Sequence, residues 1–137
     1  MPIATLDVRS RNRQEFIPMT SELQRAVETN GWMEGALLVF NPHTTAGLTI
    51  NEGADPDVKR DMLVALSRLI PERGDYHHAE GNSDAHLKAS LMGSSVTLPV
   101  VNGRLKLGTW QAIYFCEFDG PRSRQVQLTF LQADSSR

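Results

Sequence analysis

Val96-Thr97-Leu98-Pro99-Val100-Val101-Asn102-Gly103-Arg104-Leu105-Lys106-Leu107 is the stretch that decides the fold. Val96 to Val101 reads as a strand. Asn102-Gly103 is the strongest two-residue hairpin signal in the chain, because the favoured turn needs positive φ at both central positions. Arg104 to Leu107 returns alongside. Downstream, Trp110 to Phe118 reads as a long strand, apolar on both faces through its middle, and Asp119-Gly120-Pro121 turns the chain again. Val126, Leu128 and Phe130 then alternate with Gln125, Gln127 and Thr129 in a closing strand. The C-terminal third therefore reads as an antiparallel meander. Trp110 is expected in the core. The doubly apolar strand needs two covers, and a neighbouring subunit is a candidate for one of them.

Working outward, the middle of the chain is helical. Asp55 caps a helix with Pro56 at its first position, and Val58, Met62, Ala65, Leu66 and Leu69 share one face by helical spacing before Pro71 ends it. Residues 72–82 are polar and read as a loop. Asn82 or Ser83 caps a short further helix that stops at Gly93, with His86, Ser90 and Gly93 near one side and Leu87 and Leu91 near another. Nearer the start, Ala4, Leu6 and Val8 alternate with polar residues in a half-buried strand, and a second short strand ends at Phe16-Ile17 before Pro18. Thr20 or Ser21 caps a first helix carrying Leu23, Ala26 and Val27, with Asn30-Gly31 as its stop. Gly35 to Phe40 is a continuous apolar strand, which implies cover on both sides. Leu48 and Ile50 alternate in another strand. Strands and helices segregated in this way point to an α+β fold with three short helices.

The 137 residues fit one domain, 1–137. With 40% hydrophobic residues the chain has enough for a core. A net charge of −2 and no basic stripe give no support to a nucleic-acid partner. The longest apolar runs, Gly35 to Phe40 and Ala112 to Cys116, are far too short to cross a bilayer, and no basic-then-apolar leader opens the sequence. Cys116 is the single cysteine, so no internal disulfide forms. A cytoplasmic location is the expectation. The last residues, 134–137, read as a polar frayed tail.

Four histidines are the obvious chemistry. His77, His78 and His86 fall in a ten-residue window, and His43 follows a strand directly. Imidazole suits zinc and similar metals, and catalytic sites often use three protein ligands. The spacing matches no short zinc motif: there is no HExxH, and one cysteine cannot build a thiolate site. Spacing alone therefore leaves open a metal site or a set of surface histidines. Glu52, Glu80 and Asp84 flank these segments and could orient a histidine or move a proton. Asp84 has a simpler explanation, since a carboxylate in the first turn of a helix favours the helix dipole. His43-Thr44-Thr45-Ala46-Gly47 offers two hydroxyls after a buried strand, and Gly81-Asn82-Ser83 opens a helix whose free N–H groups attract phosphate. Arg122 and Arg124 offer a further anion-binding edge, or are solvated strand-edge charges. Lys88 has the same ambiguity, and Cys116 reads as a small buried hydrophobe.

The residues carry a resemblance beyond their spacing. His43-Thr44-Thr45-Ala46-Gly47-Leu48-Thr49-Ile50-Asn51-Glu52 resembles the first signature of the YjbQ-like family, also called the secondary thiamine-phosphate synthase family. Glu80 to Ala89 followed by Leu91-Met92-Gly93 is similar to its second, and Gly108-Thr109-Trp110-Gln111 and Asp119-Gly120-Pro121-Arg122 to its third and fourth. The four occur in the family's order and span nearly the whole chain. The resemblance implies a single YjbQ-like domain with a large antiparallel, sandwich-like β-sheet, assembled as a homotrimer. It implies a cleft near subunit boundaries holding a divalent metal, zinc first, on His43, His78 and His86, with Glu80 and Asp84 as site residues. It associates the fold with weak thiamine-phosphate synthase activity, in which a pyrimidine diphosphate is joined to a thiazole phosphate and pyrophosphate leaves.

The expected function is then a metal-assisted enzyme acting on a small phosphorylated or otherwise anionic molecule. Glu80 or Asp84 would move a proton or orient a ligand, while Thr44, Thr45, Asn82 and Arg122 position the anion. The rivals are a metal-dependent hydrolase at the same site, a non-enzymatic trimeric metabolite sensor, and a structural trimer with a vestigial pocket.

Overall fold

The core is built where two antiparallel sheets face each other, and the chain passes repeatedly between them. The computed structural model describes residues 2–134, so most of the expected polar tail lies outside them. In chain order the elements are β1 (Ile3–Arg9), β2 (Glu15–Pro18), α1 (Thr20–Thr29), β3 (Gly35–Phe40), β4 (Ala46–Glu52), α2 (Pro56–Leu69), α3 (Ser83–Met92), β5 (Ser95–Val101), β6 (Arg104–Leu105), β7 (Gln111–Glu117) and β8 (Ser123–Gln132). Five strands form one sheet in the order β1-β8-β3-β5-β6, and three form the other in the order β2-β7-β4.

The Asn-Gly hairpin forms as its turn chemistry requires. Asn102 and Gly103 take φ of 53° and 75°, and Val101 pairs with Arg104. The returning strand is only two residues long. The meander does not continue: β7 belongs to the smaller sheet, and β8 inserts between β1 and β3. Alternation alone specifies which face of a strand is buried, not which strand lies beside it.

The period-two residues of β1, β3, β5 and β8 put Val8, Leu37, Val39, Leu98, Val100, Val126, Leu128 and Phe130 inside, against Leu48, Ile113 and Phe115 of the smaller sheet and Leu23 and Val27 of α1. The other face of the smaller sheet, with Phe16, Tyr114, Cys116 and Phe118, packs on Leu66 of α2 and Ala85 and Ala89 of α3. This explains the doubly apolar β7. Both of its covers come from this chain, so no neighbouring subunit is needed there. Trp110 lies just before β7 and is 65% exposed, contrary to the core position expected of it. Its carbonyl accepts from Gly53 N–H, while its ring faces solvent. β3 is central, but only one face is fully covered: Ala36 and Leu38 are half-buried and Phe40 is exposed.

The helices follow different rules. α2 has its expected cap, with Asp55 accepting from Asp57 N–H and Pro56 following. Its packed stripe is rotated from the expected one: Val58, Met62, Leu63 and Leu66 turn inward, while Ala65 and Leu69 face out. α1 is not capped by Thr20 or Ser21: its N-cap position is Met19, whose side chain cannot cap, and the Thr20 hydroxyl accepts instead from Ile113 N–H at 3.0 Å. α3 is reversed. Asp84, Ala85, Lys88 and Ala89 are buried, and Leu87 and Leu91 are exposed.

Candidate active site

His43 lies in the crossing from β3 to β4, which carries the chain from one sheet to the other. Asn41 holds this loop from within. Its Nδ2 donates to Ala46 O at 2.6 Å, and its Oδ1 accepts from His43 N–H at 3.0 Å. The loop thereby presents His43, Thr44 and Thr45 toward the start of β8 and the N-terminus of α3. Gly47 follows because α3 passes too close for a side chain: a Cβ there would stand 2.6 Å from Met92 Cβ.

The result is a cavity of ≈ 410 Å³ lined by Pro42, His43, Thr44, Thr45, His78, Glu80, Asn82, His86, Arg122 and Arg124. Three segments distant in sequence contribute to it: 42–45, 78–86 and 122–124. Eight of the nine expected site residues reach it. The exception is Asp84. Its side chain is fully buried, with Arg13 Nη1 and Nη2 donating to its two oxygens at 3.2 and 3.0 Å and Lys88 Nζ donating at 3.1 Å. Burial pushes this carboxyl up, but Arg13 and Lys88 outweigh it and hold the group below its usual 3.8. Asp84 therefore ties α3 to the β1–β2 turn rather than facing the cavity. Lys88, equally buried, is its partner and not a surface cation.

His78 and His86 meet edge to face, with ring centroids 5.4 Å apart, and His78 Nε2 is 4.0 Å from a Glu80 oxygen. His43 faces the same cavity, but its Nε2 accepts from Gln125 N–H at 3.0 Å. Burial and then the charge of Arg124 lower its pKa from the ordinary imidazole value, which favours the neutral ring that can accept that bond. The three imidazoles share a cavity without sharing a coordination sphere: among the described residues, no group of three His, Cys, Asp or Glu is placed to hold a metal ion. The donor chemistry suits zinc, and the spacing does not. His77 turns away, into a second cavity of ≈ 480 Å³ that shares His78 and His86 and adds Tyr76 and Leu87.

The charges that shape the polar cavity are Arg122 and Arg124, and they differ. Arg122 is half-exposed and bonds Asp119 through Nε and Nη2, each at 2.8 Å. Asp119 in turn accepts from Asn82 Nδ2 at 2.8 Å. Asn82 therefore does not cap its own helix, and its Oδ1 is enclosed without a partner. Arg124 is 4% exposed. Its Nε donates to one Glu117 oxygen at 2.9 Å and its Nη2 to the other, and Nη2 also reaches Thr45 Oγ1 at 2.8 Å. Burial raises the Glu117 pKa, but Arg124, Asp119 N–H and Ser10 together hold it below 4.5. Sequence reasoning passed over Glu117. The signal was present: Arg124 occupies an inward position in β8, in phase with Val126, Leu128 and Phe130, and Glu117 is the one charge in the buried run of β7. Two inward charges of opposite sign in strands of a common core call for each other. Cys116 is enclosed, and burial pushes its thiol pKa well up, so it is no nucleophile.

A family profile described as UPF0047 protein YjbQ-like matches residues 4–133. The chain belongs to the YjbQ-like UPF0047 family. UPF0047 protein YugU of Bacillus subtilis is 50% identical over 130 residues, covering 94% of this chain and 98% of its own. A UPF0047 protein of Methanocaldococcus jannaschii is 47% identical, covering 90% of each. Among solved structures, a YjbQ/UPF0047 family protein of Clostridium acetobutylicum superposes with a TM-score of 0.91 at 54% identity, covering 93% of this chain and 99% of its own. A hypothetical protein of Aeropyrum pernix superposes with a TM-score of 0.92 at 37% identity, covering 97% and 100%. UPF0047 membership fixes the fold and carries no reaction with it, so function has to be argued from the cavity.

Proposed function

We propose that the cavity between the β3–β4 crossing and α3 binds a small phosphorylated or otherwise anionic molecule and is the seat of chemistry on it. The observation that carries this reading is the convergence of a buried, pre-oriented guanidinium, two threonines, three imidazoles and a helix N-terminus that no side chain caps on one polar space. Helix N-termini and fixed guanidinium groups both favour phosphate oxygens. Thr44 and Thr45 are positioned to donate to such oxygens. His78 and His86 face the space, His78 with Glu80 beside its Nε2, and are the proton carriers. Glu80 sets the orientation of His78. A divalent cation, zinc first, belongs to the same proposal. It requires His43 to leave Gln125 and close on His78 and His86, and no chemical step is routed through it.

The test is turnover and binding by the full chain. Titration calorimetry with inorganic pyrophosphate and small phosphate esters should show saturable binding, weakened about tenfold or more by His86→Ala together with Thr45→Val. No heat with any of them sinks the reading. Phosphate release from an ester without a second substrate marks a hydrolase. Turnover only with two substrates, the pyrimidine diphosphate and thiazole phosphate pair among them, marks a transferase. Binding without turnover marks a sensor. For the metal, elemental analysis of His43→Ala, His78→Ala and His86→Ala should each show a lower content than the parent, and unchanged content in all three removes the cation.

A homotrimer is proposed on the exposed Leu87 and Leu91 of α3, of which Leu87 also lines the second cavity. Sedimentation at micromolar concentration should give three chains per particle, and a monomer contradicts it.

A further inference from the structure

The two cavities beside α3 share a wall and differ in chemistry. His78 and His86 line both, and their rings stand edge to face with centroids 5.4 Å apart. On one side lies the polar cavity of ≈ 410 Å³ with its threonines and arginines. On the other lies the cavity of ≈ 480 Å³, whose wall is mostly carbon and includes Tyr76, His77 and Leu87 besides the two shared imidazoles. No lysine or arginine lines it, and Asp75, the one carboxylate there, opposes a second anion. The boundary falls at the start of α3, where Asn82 lines the polar side and Ser83 the apolar side. A ligand held by its anionic end at that helix N-terminus therefore has the second cavity next to its remaining atoms. The wall is also set in place. Tyr76 Oη donates to Pro71 O at 2.6 Å and Tyr76 N–H to Gly74 O at 2.9 Å, which folds residues 71–76 around the ring. Gly74 permits this, since a Cβ there would stand 3.2 Å from Tyr76 Cζ.

We propose that the second cavity is the organic subsite of the same binding site, and that the ligand is a phosphate monoester of a compact apolar group such as one aromatic ring. This inference rests on the anion-binding reading and names the substrate class within it. The phosphate lies in the polar cavity and the apolar group lies against Tyr76 and Leu87. The ester oxygen that joins them lies at the His78–His86 pair, the one feature common to both spaces. A cavity of ≈ 480 Å³ is ample for a ring. Sugar phosphates and other polyhydroxylated esters are poor ligands on this account, because their hydroxyls would lose water against carbon without gaining partners. Removing roughly 60 Å² of apolar surface from water is enough for a tenfold gain in affinity.

Methyl phosphate and phenyl phosphate carry the same anion and differ in the organic group. Titration calorimetry of the full chain should show phenyl phosphate bound about tenfold or more tightly than methyl phosphate, and glycerol phosphate bound no better than methyl phosphate. Tyr76 belongs to neither packed core, so Tyr76→Ser is expected to fold. It should cut the phenyl-to-methyl affinity ratio about threefold or more while leaving methyl phosphate binding as it was, and Tyr76→Phe should keep the parental ratio. A general loosening of the site, weakening both esters alike, would not change that ratio. Equal binding of the two esters by the parent overturns the organic subsite and leaves the anion reading standing. A phenyl preference that Tyr76→Ser keeps overturns its placement in this cavity. If no ester binds, the anion reading falls and this inference with it.

Discussion

Helices α1 and α3 are both ten residues long and put opposite chemistry inside. α1 turns Leu23 and Val27 into the core and its polar residues to solvent, the arrangement expected of an amphipathic helix on a sheet. α3 turns Asp84 and Lys88 inward and leaves Leu87 and Leu91 outside. The rotation of α3 about its axis is therefore set by an ion-pair network beside the small Ala85 and Ala89, and not by burial of its leucines. Arg13 and Lys88 meet Asp84, and the Gln14 amide oxygen, oriented to satisfy both its ends, accepts from Lys88 Nζ and Arg13 Nη1 at 3.0 Å each. With that rotation fixed, Asn82 and His86 line the cavity. Turning the helix to bury its leucines would move both away from it. The difference teaches that α1 is built for stability, while α3 gives up apolar burial to hold functional groups in place.

The sharpest way to break the comparison is to remove one member of the buried network. Asp84→Ala leaves Lys88 uncompensated and should cost about 3–5 kcal/mol in urea unfolding. Replacing both partners, as in Asp84→Leu with Lys88→Met, should recover much of that loss while disturbing the cavity. If Asp84→Ala unfolds at the parental midpoint, the network does not set the helix. In α1, Leu23→Ala should cost about 2–4 kcal/mol by the ordinary cavity mechanism, with the site's ligand affinity unchanged once folded.

Acid should probe the ion pairs next. Asp84 and Glu117 are both held below their usual pKa values of 3.8 and 4.5. In the window between those values and the folded ones the unfolded chain binds more protons, so stability is present above about pH 4.5 and is lost as pH falls through the folded values. Unfolding midpoints measured from neutral pH downward should decline there, and Asp84→Asn should flatten the decline. An unchanged slope contradicts the assignment. The smallest effect is expected on the outer face of α3: Leu87→Ser and Leu91→Ser should change the stability of the isolated chain by less than about 0.5 kcal/mol. They should nevertheless reduce self-association.

Much of this was legible in the sequence, and what was not has physical causes. Alternation and turn chemistry located β1, the Asn102-Gly103 hairpin and β8, because local rules decide those features. Strand order was not legible: nothing local tells β8 to insert between β1 and β3. Trp110 reads as core because it is a large apolar residue beside a buried strand, whereas β7 begins only at Gln111 and the Trp110 ring lies in solvent. The histidine loops, Thr44, Thr45, Asn82 and Arg122 reach one cavity as the motifs implied. Asp84 does not, because a charge on an otherwise apolar helix face looks alike from sequence whether it serves a ligand or an ion pair. Arg124 looks the same as Arg122 from sequence, an anion-binding edge, yet only tertiary structure pairs it with Glu117 and distinguishes the buried guanidinium from the half-exposed one.

The most direct measurement is a crystal structure of the full chain grown with saturating inorganic phosphate. The account predicts a tetrahedral anion within hydrogen-bond distance of Thr44, Thr45 and the N-terminus of α3, with His78 and His86 beside it. Water alone in that cavity, with phosphate bound elsewhere or nowhere, would contradict it.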